Sequence, residues 1–321
     1  LRSGSSLTLK NTILNLSAGH EVEIEAGANL YGESGVLKTD LVALQGNAGI
    51  FGSGETGLVL DGPVNWACTS TRDISNIRMT STLSLPPLCD VRLTNGSVEG
   101  MITVGTQGSF ELLTTFSARA LDKGEPIVGA NIIINGETSQ TDSDGMVSVT
   151  ESSLTVTDQG RVETGTVTVQ FNSGDITQLY SWNTISSQEH DFIASSITSG
   201  VSNDWIQLEE IWSPYYLAND LTIGEFGVLT IRDGVELRLS EGVSINAVGR
   251  IEIGDATLQS TGSGARWSGI VVNGIVGTSV EINGANILES SPAIHVTGRG
   301  DVTIVDSTFA RSSGSDPLIQ I

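Results

Sequence analysis

Lysine is almost missing from this 321-residue chain: Lys10, Lys38 and Lys123 are the only three, and they lie far apart. Lysine and arginine together number 15 against 37 aspartates and glutamates, a formal net charge of −22. No basic cluster occurs anywhere, which argues against a nucleic-acid or anionic-membrane partner. Charged residues of both signs amount to only 16%, so the acidity reads as a means of keeping a large β-surface soluble rather than as strong salt adaptation. No apolar run approaches the roughly 18 residues of a membrane-spanning helix, so neither a spanning segment nor a signal peptide is visible. No window of about 12 residues keeps apolar side chains at i, i+3, i+4 and i+7, which excludes amphipathic helices and leaves an all-β chain. Histidine is sparse as well. His20, His190 and His295 are scattered, with no zinc-ligand spacing and no recognisable Ser-His-Asp arrangement.

What the chain does have is glycine, 38 of them, and an apolar set dominated by β-branched residues. It also has a repeat. Arg250-Ile-Glu-Ile-Gly-Asp-Ala-Thr-Leu258, Ser279-Val-Glu-Ile-Asn-Gly-Ala-Asn-Ile287 and Asp301-Val-Thr-Ile-Val-Asp-Ser-Thr-Phe309 share one pattern. Two apolar residues alternate, a Gly/Asp/Asn corner follows, and one more apolar residue comes after a small one. The first apolar positions, Ile251, Val280 and Val302, are 29 and 22 residues apart, the length of one solenoid coil. A coil of strands cannot bury its apolar side alone and must stack on its neighbours. Ile270, Ile294 and Leu318, each 24 residues apart, mark a second strand repeating beside the first.

The two cysteines, Cys68 and Cys89, are 21 residues apart, again about one coil. Residues one coil apart stack at roughly 4.8 Å, within the reach of a disulfide. A bridge is the favoured reading over two buried thiols, and it implies an oxidising compartment, hence an extracellular or cell-surface location. Asn15-Leu-Ser17 and Asn95-Gly-Ser97 make Asn15 and Asn95 glycosylation candidates. The chain begins at Leu1 without a methionine and ends in the strand-like Leu318-Ile-Gln-Ile321, so both ends read as cut from a longer polypeptide.

Three regions are expected. Residues 1–112 repeat the coil pattern loosely, as in Leu7-Thr-Leu9 with Leu14 and Val91-Arg-Leu93 with Val98. Residues 113–200 break it with alternating strands separated by the turn signals Asp122-Lys-Gly124 and Asn135-Gly136. From 201 to 321 the coils resume. The middle region resembles the carboxypeptidase regulatory-like family of Ig-like β-sandwiches. The resemblance rests on Asp122, Gly124, Pro126, Ile127, Gly129, Ala130, the isoleucines at 132–134, Thr141, Asp142, Asp144 and Gly145. It implies an accessory, non-catalytic module. The run from Trp212 through Leu221-Thr-Ile223, Gly227-Val-Leu-Thr-Ile231 and Gly234-Val-Glu-Leu-Arg-Leu239, with Trp267-Ser-Gly-Ile-Val-Val272, resembles a pectate-lyase-like right-handed parallel β-helix. The expected fold is therefore β-helix segments with an inserted Ig-like antiparallel sandwich.

Enzymes built on such a helix display Asp, Lys or Arg on one exposed sheet face. Paired carboxylates there serve a hydrolase, and Ca²⁺ with a basic residue serves a lyase. The candidates are Asp255, Asp301, Asp306, Arg250, Arg299 and Arg311. Asp255 and Asp306 sit at turn corners, where aspartate has a structural role, and no position is assigned as catalytic. Asp142 and Asp144 in Thr141-Asp-Ser-Asp-Gly145 are the candidate Ca²⁺ ligands, but the distal glutamate of a calcium loop is missing and a β-turn explains them. No cofactor is expected. Trp205, Trp212, Tyr215 and Tyr216 gather where the second solenoid begins, either to stack on sugars or to cover its open end; covering is the preferred reading. The expected function is structural or adhesive, within a surface layer, stalk or filament that associates with itself or with other surface proteins. The alternative is a carbohydrate-active lyase, glycosidase or glycan-binding relative.

Overall fold

The computed structural model of the protein describes residues 1–16, 19–174, 176–262, 264–274, 276–310 and 318–320. Apart from one 3₁₀ turn at Glu210–Trp212, the regular structure among the described residues is strand, and parallel β-solenoid coils make up most of it. The chain divides into two compact units. One comprises Leu1–Ser117, Ser148–Val169 and Tyr180–His190; the other comprises Ala118–Val147, Gln170–Leu179 and Asp191–Ile321.

In the second unit each coil places one strand in each of three parallel sheets. The third sheet stacks Trp205–Leu208, Val228–Ile231, Arg250–Ile253, Thr278–Asn283 and Gly300–Val305. The repeat seen in the sequence is this stacking: Ile251 lies in register with Val280, and Val280 with Val302. Because side chains alternate along a strand, every second residue faces inward, and the inward residues form one core running from Ile197 to Ile294. The second sheet departs from expectation at its last strand. Ile270 pairs with Ile294, but Ile294 pairs with Ile319 rather than Leu318. That coil is one residue longer, and a one-residue slip exchanges the faces of a strand.

In the first unit, two sheets run through all the coils, whereas the parallel third sheet consists of Arg72–Ser75, Asp90–Thr94 and the start of Ser109–Asp122. In the earlier coils a short turn, in which the Ala48 N–H bonds the Gln45 carbonyl, leads directly into a long strand of the first sheet, whose leading residues Gly49–Ser53 pair with Asn29–Glu33. Cys68 follows the strand Val64–Ala67 and Cys89 precedes Asp90–Thr94, so the two cysteines occupy adjacent coils. Their disulfide spans 5.0 Å between Cα atoms.

The first sheet carries an ion pair with a measurable signature. Lys38 and Asp61 are register partners, Lys38 Nζ lies 3.3 Å from Asp61 Oδ2, and Thr80 Oγ1 donates to Asp61 Oδ1 at 2.8 Å. The Thr80 bond first, then Lys38, holds the Asp61 carboxyl below its ordinary range. A carboxyl depressed in the folded state stabilises fully above its unfolded pKa of about 3.9, and that stabilisation disappears as pH falls through the folded value. The stability gap between the wild type and Asp61→Asn should therefore be small but present near pH 6 and shrink as pH falls below the unfolded value of about 3.9. Urea denaturation near pH 6 and below that value checks this, and a gap that widened in acid would contradict it.

Residues 113–200 are shared between the two units, and an inserted Ig-like sandwich is not shown. The reason lies in one strand: Ser109–Asp122 pairs in parallel with Asp90–Thr94 through its first residues, then continues without a linker to an antiparallel pairing of Leu121 with Pro126. Further antiparallel pairs join Asn131–Ile134 to Glu137–Gln140 and Met146–Thr157 to Gly160–Glu163. The first pair turns on Asn135 and Gly136, both with positive φ (52° and 82°).

Candidate functional site

The outward face of the second unit's third sheet is where the chemistry-bearing residues converge. Register places Trp205, Val228, Arg250, Ser279 and Asp301 in one outward column. A second column beside it holds Gln207, Thr230, Glu252, Glu281 and Thr303. Strand stacking brings these neighbours to roughly 4.8 Å apart along each column. Three residues singled out in the sequence, Trp205, Arg250 and Asp301, thus share a column. The short-range bonds of Trp205 and Arg250 go to residues of the second column.

Trp205 is 67% exposed, and its Nε1–H donates to Thr230 Oγ1 at 3.1 Å. The Thr230 hydroxyl in turn donates to Glu252 Oε2 at 3.4 Å. Arg250 Nη2 lies 2.7 Å from Glu252 Oε1 and 3.6 Å from Glu281 Oε1. Two carboxylates at neighbouring coil positions approach the spacing of a retaining glycosidase, roughly 5 Å. Arg250 Nη2 lies between one oxygen of each carboxylate and pairs them across neighbouring coils. The arrangement can hydrogen-bond a hydroxylated surface and stack an apolar ring face on Trp205.

The remaining candidates lie elsewhere. The Asp255 N–H bonds Asp233 Oδ1 at 2.8 Å, and the Asp255 carbonyl accepts the Gly234 N–H at 2.7 Å. Asp306 turns the corresponding corner two coils on with φ +47°, and the Arg299 N–H bonds the Gly274 carbonyl at 2.9 Å. Arg311 and Ser17 lie outside the described residues. Asp142 Oδ1 accepts the N–H groups of Asp144 and Met146, each at 2.9 Å, closing a turn that ends at Gly145 with φ +71°. Among the described residues, no group of three or more His, Cys, Asp or Glu side chains is placed to hold a metal ion. Asn15 ends the strand Ile13–Asn15; Asn95 is exposed, and its Oδ1 accepts the Ser187 hydroxyl at 2.5 Å.

The other aromatics are packed rather than displayed. Tyr215 and Tyr216 are buried, and burial pushes both phenols above the ordinary tyrosine value. The Tyr215 hydroxyl accepts the Glu209 N–H at 3.0 Å and donates to the Glu209 carbonyl at 3.2 Å; Tyr216 Oη meets Gln178 Nε2 at 3.1 Å. Trp212 packs on the solenoid core, and its ring lies so close to Gly124 that a Cβ there would come within 2.7 Å. Sequence reasoning passed over Glu252 and Glu281, although Arg250-Ile-Glu-Ile and Ser279-Val-Glu-Ile align them at one repeat position.

No family model matches this chain, and no curated protein or solved structure matches it.

Proposed function

We propose that this chain is a non-catalytic structural or adhesive segment of a large secreted or cell-surface protein, a component of a surface layer, stalk or filament. The observation that carries the reading is the use made of outward charge. In the first unit Lys10 pairs with Glu33, Lys38 with Asp61, Arg78 with Glu99 and Arg92 with Glu111, each joining one coil to the next. Each exposed pair is worth at most about 1 kcal/mol, so their value is in repetition and register rather than strength. Charge is spent along the ladder instead of gathering in a cleft. The Cys68–Cys89 bridge supports an oxidising, extracellular setting. The right-handed, pectate-lyase-like winding belongs to the same reading, because parallel crossovers are almost always right-handed. For residues 113–200, the antiparallel pairs and the Asp142–Gly145 turn support an accessory module of the carboxypeptidase regulatory-like kind.

One observation favours a second reading, glycan binding: exposed Trp205 shares a column with Arg250 and Asp301. A single set of assays separates the two. The purified chain is incubated with acidic polysaccharides and Ca²⁺, and its binding to a glycan array is compared with that of Trp205→Ala. The scaffold reading expects no cleavage and no Trp205-dependent binding, together with concentration-dependent self-association in sedimentation. Robust cleavage would overturn it, and saturable binding lost in Trp205→Ala would replace it with the glycan-binding reading.

A further inference from the structure

The strand ladder of the first unit has a break. Gly49–Ser53 pair with Asn29–Glu33, and Arg72–Ser75 pair with Val91–Thr94. Gly49–Ser53 and Arg72–Ser75 abut, yet among the described residues no ladder joins them. A cavity of about 330 Å³ lies where they meet, lined by Asn29, Asn47, Phe51, Thr71 and Asp73 among others. That is the lower end of the size range of small-molecule sites, about 300–1,000 Å³.

One wall of the cavity is aromatic. Tyr31 and Phe51 are register partners at outward positions: their strand neighbours Leu30 and Ile50 are fully buried, whereas the two rings are 38% and 44% exposed. The rings stack with centroids 5.0 Å apart and 16° between their planes. Tyr31 thus covers one side of Phe51. The cavity opens on the other side, where the next coil presents Thr71 and Asp73 instead of a third ring. Gly49 keeps an amide close to the ring, since a Cβ there would run into both Asn29 Oδ1 and the edge of Phe51. Rings half in water contribute little burial to the fold, and their open area is available to a ligand.

The polar groups around the ring say what kind of ligand fits. The amides of Asn29 and Asn47 and the Thr71 hydroxyl both donate and accept, and the ionised Asp73 carboxylate accepts. Arg92, the register partner of Asp73, turns instead to Glu111, with 3.3 Å between Nε and Oε2. A pyranose answers this arrangement, because it has an apolar C–H face to lay on a ring and rim hydroxyls that both donate and accept. A planar apolar ring would desolvate the polar groups and give them nothing in return. An acidic sugar would meet Asp73, the exposed acid of the lining, on a chain of net charge −22, and Arg72, which also lines the cavity, has its Nε buried. We propose that this cavity binds a neutral pyranose, stacked on Phe51 and hydrogen-bonded by Asn29, Asn47, Thr71 and Asp73. The proposal goes beyond the scaffold reading and does not depend on Trp205, which belongs to the other unit.

The test titrates the isotope-labelled full chain with the methyl glycosides of glucose, galactose and mannose and follows its amide resonances. Glucuronate, benzyl alcohol and choline chloride are the controls for an acidic sugar, an apolar ring and a cation. Saturable shifts centred on Gly49–Phe51 and Thr71–Asp73 are expected with at least one glycoside and with none of the controls. Phe51→Ala should abolish them, and Asp73→Ala should weaken affinity about tenfold, the equivalent of one lost hydrogen bond. Trp205→Ala should bind as the wild type does. Absence of saturable shifts with every glycoside overturns the proposal. Equal binding of a control, equal binding by Phe51→Ala, or loss of binding in Trp205→Ala overturns it as well. Should Phe51→Ala fail to fold, the position of the wild-type shifts decides, and shifts centred on any other residues overturn the proposal. Sedimentation tests the scaffold reading separately, so either can fail without the other.

Discussion

Val280→Asp should destabilise the second unit by more than about 4 kcal/mol, whereas Ser279→Asp, one residue earlier, should change stability by no more than about 0.5 kcal/mol. The contrast follows from the alternation of the strand Thr278–Asn283. Val280 is fully buried and stacked between Ile251 on one coil and Val302 on the next. A carboxylate there must lose its hydration with no donor in the inward column to replace it. Nor can the strand shift by one residue to expel it, because the slip would carry Ile282 and the Thr278 side of the pattern outward as well. A solenoid is held together by nearest-neighbour interfaces, so a defect in a middle coil weakens both interfaces it shares. Ser279 lies in the outward column between Arg250 and Asp301, where a new carboxylate remains hydrated. Urea denaturation of the two variants checks the pair, and similar losses for both would refute the inward–outward assignment.

Loss of the Cys68–Cys89 bridge should lower stability by about 3 kcal/mol, the chain-entropy value for a closed loop of this length. The bridge joins residues 21 apart in sequence that occupy adjacent coils, and both cysteines are buried. Cys→Ala at both positions is the better test than Cys→Ser, since a hydroxyl buried without a partner adds its own penalty. Wild type treated with a reductant should show the same shift in its denaturation midpoint as the double variant. Amide exchange should quicken most around Val64–Ala67 and Asp90–Thr94, the strands that flank the bridge. A midpoint unchanged by reductant would mean that the thiols are not joined.

Both predictions rest on features that could be read before any coordinates. The spacing of Ile251, Val280 and Val302 identified the strand stack, and the 21-residue cysteine interval identified the bridge. Other features could not be read this way. Leu318 matched Ile294 by spacing, yet Ile319 is its partner, because the spacing of apolar residues does not fix the length of each coil. The middle region resembles a sandwich family in its turn residues, yet the strand Ser109–Asp122 passes from parallel to antiparallel pairing without a linker. Tyr31 and Phe51 read in the sequence as two unrelated aromatics. Only the register of their strands stacks one ring on the other.

The sequence by itself determined that the chain contains β-solenoid coils, which residues point inward along the repeat at 250–309, and which two cysteines meet. Those properties depend on the two-residue period of a strand and on coil length, both local. Only the tertiary structure decided which outward residues became neighbours: Arg250 between Glu252 and Glu281, Trp205 against Thr230, and Phe51 against Tyr31. Coils of unequal length slide the outward columns past one another, so those contacts depend on the sum of every insertion between them and not on any single motif.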